Sequence, residues 1–83
     1  MLAKVGDVVK VRKSERCNFE HIFPNPLVVT GVLEYSQSGE VYGYDLVDTV
    51  SGQKWDRRRE DIFEIDPFLS AVHQATTGEA LNE

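Results

Sequence analysis

A series of short strand-like segments occupies the first 66 residues and constrains the fold more than any other feature of the sequence. Apolar and polar residues alternate in residues 4–13 and 41–48, and β-branched residues are abundant in residues 27–36. A period of two residues is typical of strands that bury one face. Glycine-containing turns follow the second and third segments, at residues 37–40 and 51–52. The sequence therefore predicts a mostly β domain built from short strands.

Two more strands and one long loop complete this part of the chain. Residues 53–60 are predicted to form a hairpin with the third strand, and residues 61–65 a 3₁₀ turn that leads into a brief last strand. Gly31, inside the second strand, indicates a bulge or a bend. Residues 14–26 have no clean periodicity but are too apolar for a solvated linker, so we expect a long ordered loop.

The pattern changes at Asp66. Asp66 at the N-cap and Pro67 at the first helical position predict a helix start. Four apolar residues recur on one side of this helix: Phe68, Ala71, Val72 and Ala75. We expect that side to pack either on the β domain or on a second chain in a homodimer. The predicted organisation is a small β-barrel domain over residues 1–66, then a short helix and a frayed C-terminal tail over residues 67–83.

The order of these elements resembles the Src-homology-3-like class of small β-barrels. The resemblance lies in VGDVVKV (residues 5–11), TGVLEY (30–35), YGYDLVD with SGQKW (42–55) and EDIFEI (60–65). It implies an all-β, five-stranded barrel with a short C-terminal helix or tail. Because many unrelated functions share this architecture, the resemblance implies a fold and no particular activity.

Length and composition narrow the function classes. With 83 residues and a net charge of −5, the chain fits one small domain with a thin core. The single cysteine, Cys17, excludes a disulfide framework and a cysteine-based zinc site. No apolar run is long enough to span a membrane, and we expect a cytoplasmic protein. His21 and His73 belong to no catalytic motif, so we expect no enzyme activity, catalytic residue, metal or cofactor.

A protein partner is the favoured function, and the candidate surface joins the long loop to the fourth strand. Its predicted contact residues are Phe19, Phe23, Pro24, Trp55, Arg57 and Arg59. Strand alternation places Arg57 and Arg59 on the Trp55 face and Arg58 on the other. If Trp55 belongs to the core, either the strand bulges or Arg57 lies at the barrel mouth. Alternatively, Phe19 and Phe23 cap the barrel end and the arginines pair with acidic residues of neighbouring strands.

The charge distribution supports one alternative, a nucleic-acid-binding module. Residues 1–16 carry a net charge of +3 and residues 54–59 another +3, whereas residues 17–53 and 60–83 carry −5 and −6. A basic patch assembled from the first and fourth strands would attract phosphates. Its predicted members are Lys10, Arg12, Lys13, Arg57 and Arg59. A second alternative is an accessory subunit of a larger enzyme complex, which the sequence does not distinguish from the favoured protein-binding function.

Overall fold

Five strands form the framework of the protein in a computed structural model, which describes residues 3–77. The strands are β1 (Val8–Val11), β2 (Leu27–Glu34), β3 (Val41–Asp48), β4 (Lys54–Arg59) and β5 (Phe63–Ile65). The helices are α1 (Arg16–Phe19) and α2 (Pro67–Thr77), with 3₁₀ turns at Lys13–Glu15 and Glu60–Ile62. The predicted mostly β fold and C-terminal helix are confirmed. The predicted loop after β1 is ordered, but it contains the short helix α1.

The strands form one antiparallel sheet in the order β4-β3-β2-β1-β5. β1 to β4 follow one another as neighbours, and β5 returns to pair with the other side of β1. Within residues 3–77 no ladder joins β4 to β5, so the sheet is open. The bulge predicted from Gly31 is confirmed, because the β2–β3 register shifts between Val29 and Gly31.

The core lies on one face of this curved sheet. Its most deeply buried side chains come from all strands but β4, and they are Tyr44, Phe63, Leu27, Leu46, Val9 and Val29. The loop after β1 adds Phe23, and the 3₁₀ turn before β5 adds Ile62. The buried Tyr44 hydroxyl accepts a hydrogen bond from the Ala3 N–H at 2.9 Å. Burial raises the pKa of this hydroxyl. The core therefore depends on contacts between residues far apart in the sequence.

Helix α2 is attached to β1 by hydrogen bonds. Asp66 caps the helix as predicted, because its carboxylate accepts the Leu69 N–H at 2.9 Å. The Val8 N–H donates to the Ser70 hydroxyl at 2.8 Å, and that hydroxyl donates to the Val8 carbonyl at 3.2 Å. No helix within residues 3–77 is long and apolar enough to cross a membrane.

These bonds fix which side of α2 faces the sheet. Ser70 is buried, whereas Phe68 is 74% exposed and Val72 42% exposed. Of the two expectations for the apolar side, packing of Phe68 on the β domain is therefore wrong, because Ser70 occupies that side of the helix. A contact between Phe68 and a second chain stays a prediction. The frayed tail expected after residue 77 lies outside the described residues.

The Asp48 carboxylate stabilises the β3–β4 turn through hydrogen bonds. It accepts the Val50 N–H at 2.7 Å, the Ser51 N–H at 2.9 Å and the Asn25 side-chain amide at 3.2 Å. Burial of the carboxylate opposes its ionisation, but the hydrogen bonds outweigh that effect and lower the pKa of Asp48. The same residue thus shapes the turn and connects it to the long loop.

Replacing Ser70 tests the attachment of α2. We expect Ser70→Ala to lower the free energy of unfolding by about 1–3 kcal/mol, because it leaves the buried Val8 N–H without a partner. The matched control is Ala71→Ser on the exposed side of the same helix, which should change stability by at most about 0.5 kcal/mol. Urea unfolding measures both. Equal effects of the two variants would contradict the role given to the Ser70 hydroxyl.

The pH dependence of stability in an Asp48 variant tests the role of the Asp48 carboxylate in the turn. A carboxylate with a depressed folded-state pKa contributes stability that is present above its unfolded pKa of about 3.9 and lost as the pH falls through the folded pKa. We therefore expect the stability difference between the natural protein and Asp48→Asn to be largest near neutral pH and to shrink in acid. Urea unfolding over a pH series measures it. A difference that does not change with pH would contradict this role of Asp48.

Candidate functional site

A cleft of about 320 Å³ lies between the loop after β1 and the end of β4. Four apolar residues and three consecutive arginines line it: Phe19, Ile22, Phe23, Ile62, Arg57, Arg58 and Arg59. We call it the arginine-edged cleft. The structure thus brings the predicted contact residues Phe19, Phe23, Arg57 and Arg59 to one place. The cleft combines an apolar wall with a positively charged edge.

Phe23 supports the cleft from within the core. It is only 5% exposed, and its ring meets the Trp55 ring edge-on at a centroid distance of 4.9 Å and the Phe63 ring at 5.1 Å. Such edge-to-face contacts are favourable for aromatic pairs. Phe23 therefore fills the end of the core, as the alternative interpretation of this residue expected. Phe19 is half-buried and packs on the same core.

A β-bulge in β4 determines where the arginines lie. Trp55 is opposite Leu46 and Arg58 is opposite Tyr44, so Asp56 and Arg57 together face the single residue Asp45. Arg57 has a φ of +57°, the left-handed conformation that side chains other than glycine seldom adopt. The Asp45 carboxylate accepts the Arg57 N–H at 3.0 Å. The bulge thus has a hydrogen-bonded support from the neighbouring strand.

The bulge reverses the predicted alternation of β4. Because Leu46 and Tyr44 share a face of β3, Trp55 and Arg58 share a face of β4. The Arg58 guanidinium carbon lies 5.2 Å from the centroid of the Trp55 ring, within cation–π distance. The prediction that Arg59 shares the Trp55 face and that Arg58 lies on the other face is therefore wrong, because Arg59 is opposite Gly43. Of the two geometries expected for a core-packed Trp55, the strand bulge is the one found.

Two glycines make room for this arrangement. A Cβ on Gly43 would approach the Arg58 carbonyl oxygen to 2.7 Å, and a Cβ on Gly31 would approach an Asp45 carboxylate oxygen to 2.8 Å. Both distances are too short for real atoms. Gly43 therefore permits the close approach of β4, and Gly31 leaves space for the carboxylate that supports the bulge.

Arg59 is engaged in an ion pair on the surface. Its guanidinium donates two hydrogen bonds to Asp61, at 3.1 Å and 2.6 Å. These bonds lower the pKa of Asp61, and the same pairing raises the pKa of Arg59. In contrast, within residues 3–77 no carboxylate oxygen lies within 4.0 Å of the guanidinium of Arg57 or Arg58. Arg57 and Arg58 are thus the cationic groups of the cleft whose guanidinium groups form no ion pair with a carboxylate of residues 3–77.

The predicted nucleic-acid surface is partly occupied by internal contacts. Lys10 lies 3.6 Å from Asp66 and 3.9 Å from Glu64, its partner across the β1–β5 pair. The Arg12 side chain donates to the Phe63 carbonyl at 2.8 Å. Lys13 is exposed at the start of the 3₁₀ turn after β1. Of the five predicted residues, Lys10, Arg12 and Arg59 therefore already have partners within the chain.

Pro24 does not line the arginine-edged cleft. It is exposed and lines a second cavity of about 280 Å³, next to Lys10 and Arg16. Cys17 and His21 are exposed and share no hydrogen bond in the described chain. Among the described residues, no group of three or more His, Cys, Asp or Glu side chains could hold a metal ion.

Sequence reasoning missed three residues of the cleft, Ile22, Arg58 and Ile62, as contact residues. Regular alternation through β4 predicts the wrong face for Arg58, because the bulge adds one residue before it. One signal could have located the bulge. Gly43 and Asp45 stand in β3 where it faces β4, and a strand glycine often marks a close backbone approach.

Comparisons with models of protein families, with curated proteins and with solved structures found no match to this chain.

Replacing Arg57 with glycine tests the backbone strain at the bulge. A left-handed conformation costs a non-glycine residue about 1–2 kcal/mol. We therefore expect Arg57→Gly to raise the free energy of unfolding by about 1 kcal/mol. The control is Arg58→Gly, in which glycine enters an ordinary strand position and should lower stability by about 0.5–1 kcal/mol or more. Urea unfolding distinguishes the two signs, and destabilisation by both variants would contradict the strain.

Proposed function

We propose that this protein is a non-catalytic accessory or adaptor module that binds a protein partner through the arginine-edged cleft. The observation that carries the proposal is the joining of an apolar wall to a cationic edge at the surface of a small domain. Binding residues are often on loops held by a rigid scaffold, and here Phe19 and Ile22 come from the loop after β1. A role as a subunit of a larger enzyme complex would use the same cleft.

We further propose that the domain is a Src-homology-3-like small barrel. The strand order β4-β3-β2-β1-β5, the long loop after β1 and the 3₁₀ turn before β5 support this assignment. Phe23 lies between Trp55 of β4 and Phe63 of β5, so side-chain packing continues across the edges where the ladder is open. The proposed binding cleft lies beside this seam.

A protein partner has better support than a nucleic acid. Binding to a nucleic-acid backbone depends on several basic side chains that neutralise phosphates together. Lys10 and Arg59 are already in ion pairs, and Arg12 is bonded to a backbone carbonyl. An apolar wall beside two arginines that form no ion pair within the described part of the chain suits a protein surface, where apolar and charged side chains occur together.

Site-specific photo-crosslinking in the native cell tests the proposal. A photoreactive residue at Ile22, in the cleft, is expected to yield a protein adduct of discrete mass. The control position is Val50, which is 75% exposed in the β3–β4 turn and should yield no such adduct. Phe23→Ala is unsuitable as a binding test, because truncating this buried ring would cost about 3–5 kcal/mol of stability.

The adducts also distinguish the alternatives. An adduct at Ile22 that protease removes and nuclease does not would support the proposal. An adduct that nuclease removes would support the nucleic-acid alternative and overturn the proposal. The absence of any adduct at Ile22, or identical adducts at Ile22 and Val50, would also overturn it. Titration of labelled oligonucleotides at ~50 mM and ~200 mM salt measures the nucleic-acid alternative directly.

A further inference from the structure

We propose that the arginine-edged cleft recognises an acidic segment that carries one large apolar side chain. This inference rests on the proposed protein-binding function and specifies the chemistry of the partner. The apolar side chain would enter between the loop after β1 and Ile62, and carboxylates next to it would bind Arg57 and Arg58. Arg57 is the residue on which this selectivity depends most.

The cleft has the size and the lining for an apolar side chain. An apolar cavity of ~150 Å³ is sufficient for benzene. The arginine-edged cleft has a volume of about 320 Å³ and is open to solvent, and Phe19, Ile22, Phe23 and Ile62 supply its apolar wall. This volume is large enough for one aromatic or branched aliphatic side chain.

The charged part concerns complementarity. The chain carries a net charge of −5, yet its cleft is edged by three consecutive arginines. Asp61 engages Arg59, and Glu15 adds a further attraction to that residue. Among the described residues, no carboxylate oxygen lies within 4.0 Å of the guanidinium of Arg57 or Arg58, although the Asp45 carboxylate accepts the Arg57 backbone N–H. Since the planar guanidinium matches a carboxylate with two parallel hydrogen bonds, an acidic segment is the complementary occupant.

The backbone conformation of Arg57 is a second feature that indicates a binding role. Glycine is the residue best suited to a φ of +57°, and the chain has arginine there. Non-glycine residues in this conformation cluster at functional sites, and bulges re-orient side chains next to such sites. The Asp45 carboxylate accepts the Arg57 N–H, and Arg57 is exposed at the edge of the cleft. The conformation thus places a cation where a partner can reach it, at a cost in stability.

Selection from a displayed library of random short peptides tests the inference with the full chain. We expect enriched peptides to combine acidic residues with an aromatic or branched aliphatic residue. A synthetic copy of an enriched peptide should bind at least about tenfold more weakly to Arg57→Gly, because each charged hydrogen bond lost weakens binding. Its affinity should also fall between ~50 mM and ~200 mM salt.

Lys54→Ala is the matched control, because it removes one positive charge from the same strand outside the cleft. It should change the affinity of that peptide by less than about twofold. A measured stability of Arg57→Gly equal to or above that of the natural protein shows that its loss of binding is not a loss of folding.

Three results would overturn this inference. They are enrichment of peptides without acidic residues, equal binding to Arg57→Gly and the natural protein, and no enrichment at all. None of them overturns the proposed protein-binding function, which photo-crosslinking at Ile22 tests separately. A nuclease-sensitive adduct at Ile22 would overturn both.

Discussion

The contacts of Phe23 with Trp55 and Phe63 are the interaction on which the rest of the structure depends. β4 and β5 form the two edges of an open sheet, and no backbone ladder joins them in the described chain. The Phe23 ring lies 4.9 Å from the Trp55 ring of β4 and 5.1 Å from the Phe63 ring of β5. Side-chain packing therefore connects β4 and β5, which no backbone hydrogen bonds of a ladder join in the described chain. Because a small domain has a thin core, one aromatic ring in this position contributes a large share of the core packing.

The same packing explains why the cleft lies where it does. Phe23 belongs to the loop after β1, so its burial holds that loop against the end of β4. The bulge at Asp56 and Arg57 then changes the phase of β4, which brings Arg58 over Trp55 and leaves Arg57 at the edge. Gly31, Gly43 and Asp45 make the bulge sterically and electrostatically feasible. The position of the candidate binding surface therefore depends on the packing of the core.

Much of the fold could be predicted because it follows from local patterns. Alternating apolar residues marked the strands, Gly31 marked a bulge, and Asp66 with Pro67 marked the start of α2. The features that could not be predicted depend on contacts distant in the sequence. The face of α2 is fixed by hydrogen bonds between Ser70 and Val8, 62 residues away.

The candidate site was predicted in outline and not in detail. The sequence predicts a grouping of two residues of the loop after β1 with two of β4, and these four residues line one cleft: Phe19, Phe23, Arg57 and Arg59. The position of Arg58 was not predicted, because one extra residue in a strand exchanges the faces of all the residues after it. Such an insertion is determined by the partner strand, here by Asp45 and Gly43.

The most direct test of this account is an NMR measurement of the β4 strand in solution. We expect a strong intraresidue NOE between the amide and α protons of Arg57, which is the signature of its positive φ. We also expect NOEs between the Arg58 side chain and the Trp55 indole. A regular strand pattern through Arg57, with NOEs to the indole from Arg57 or Arg59 in place of Arg58, would contradict it.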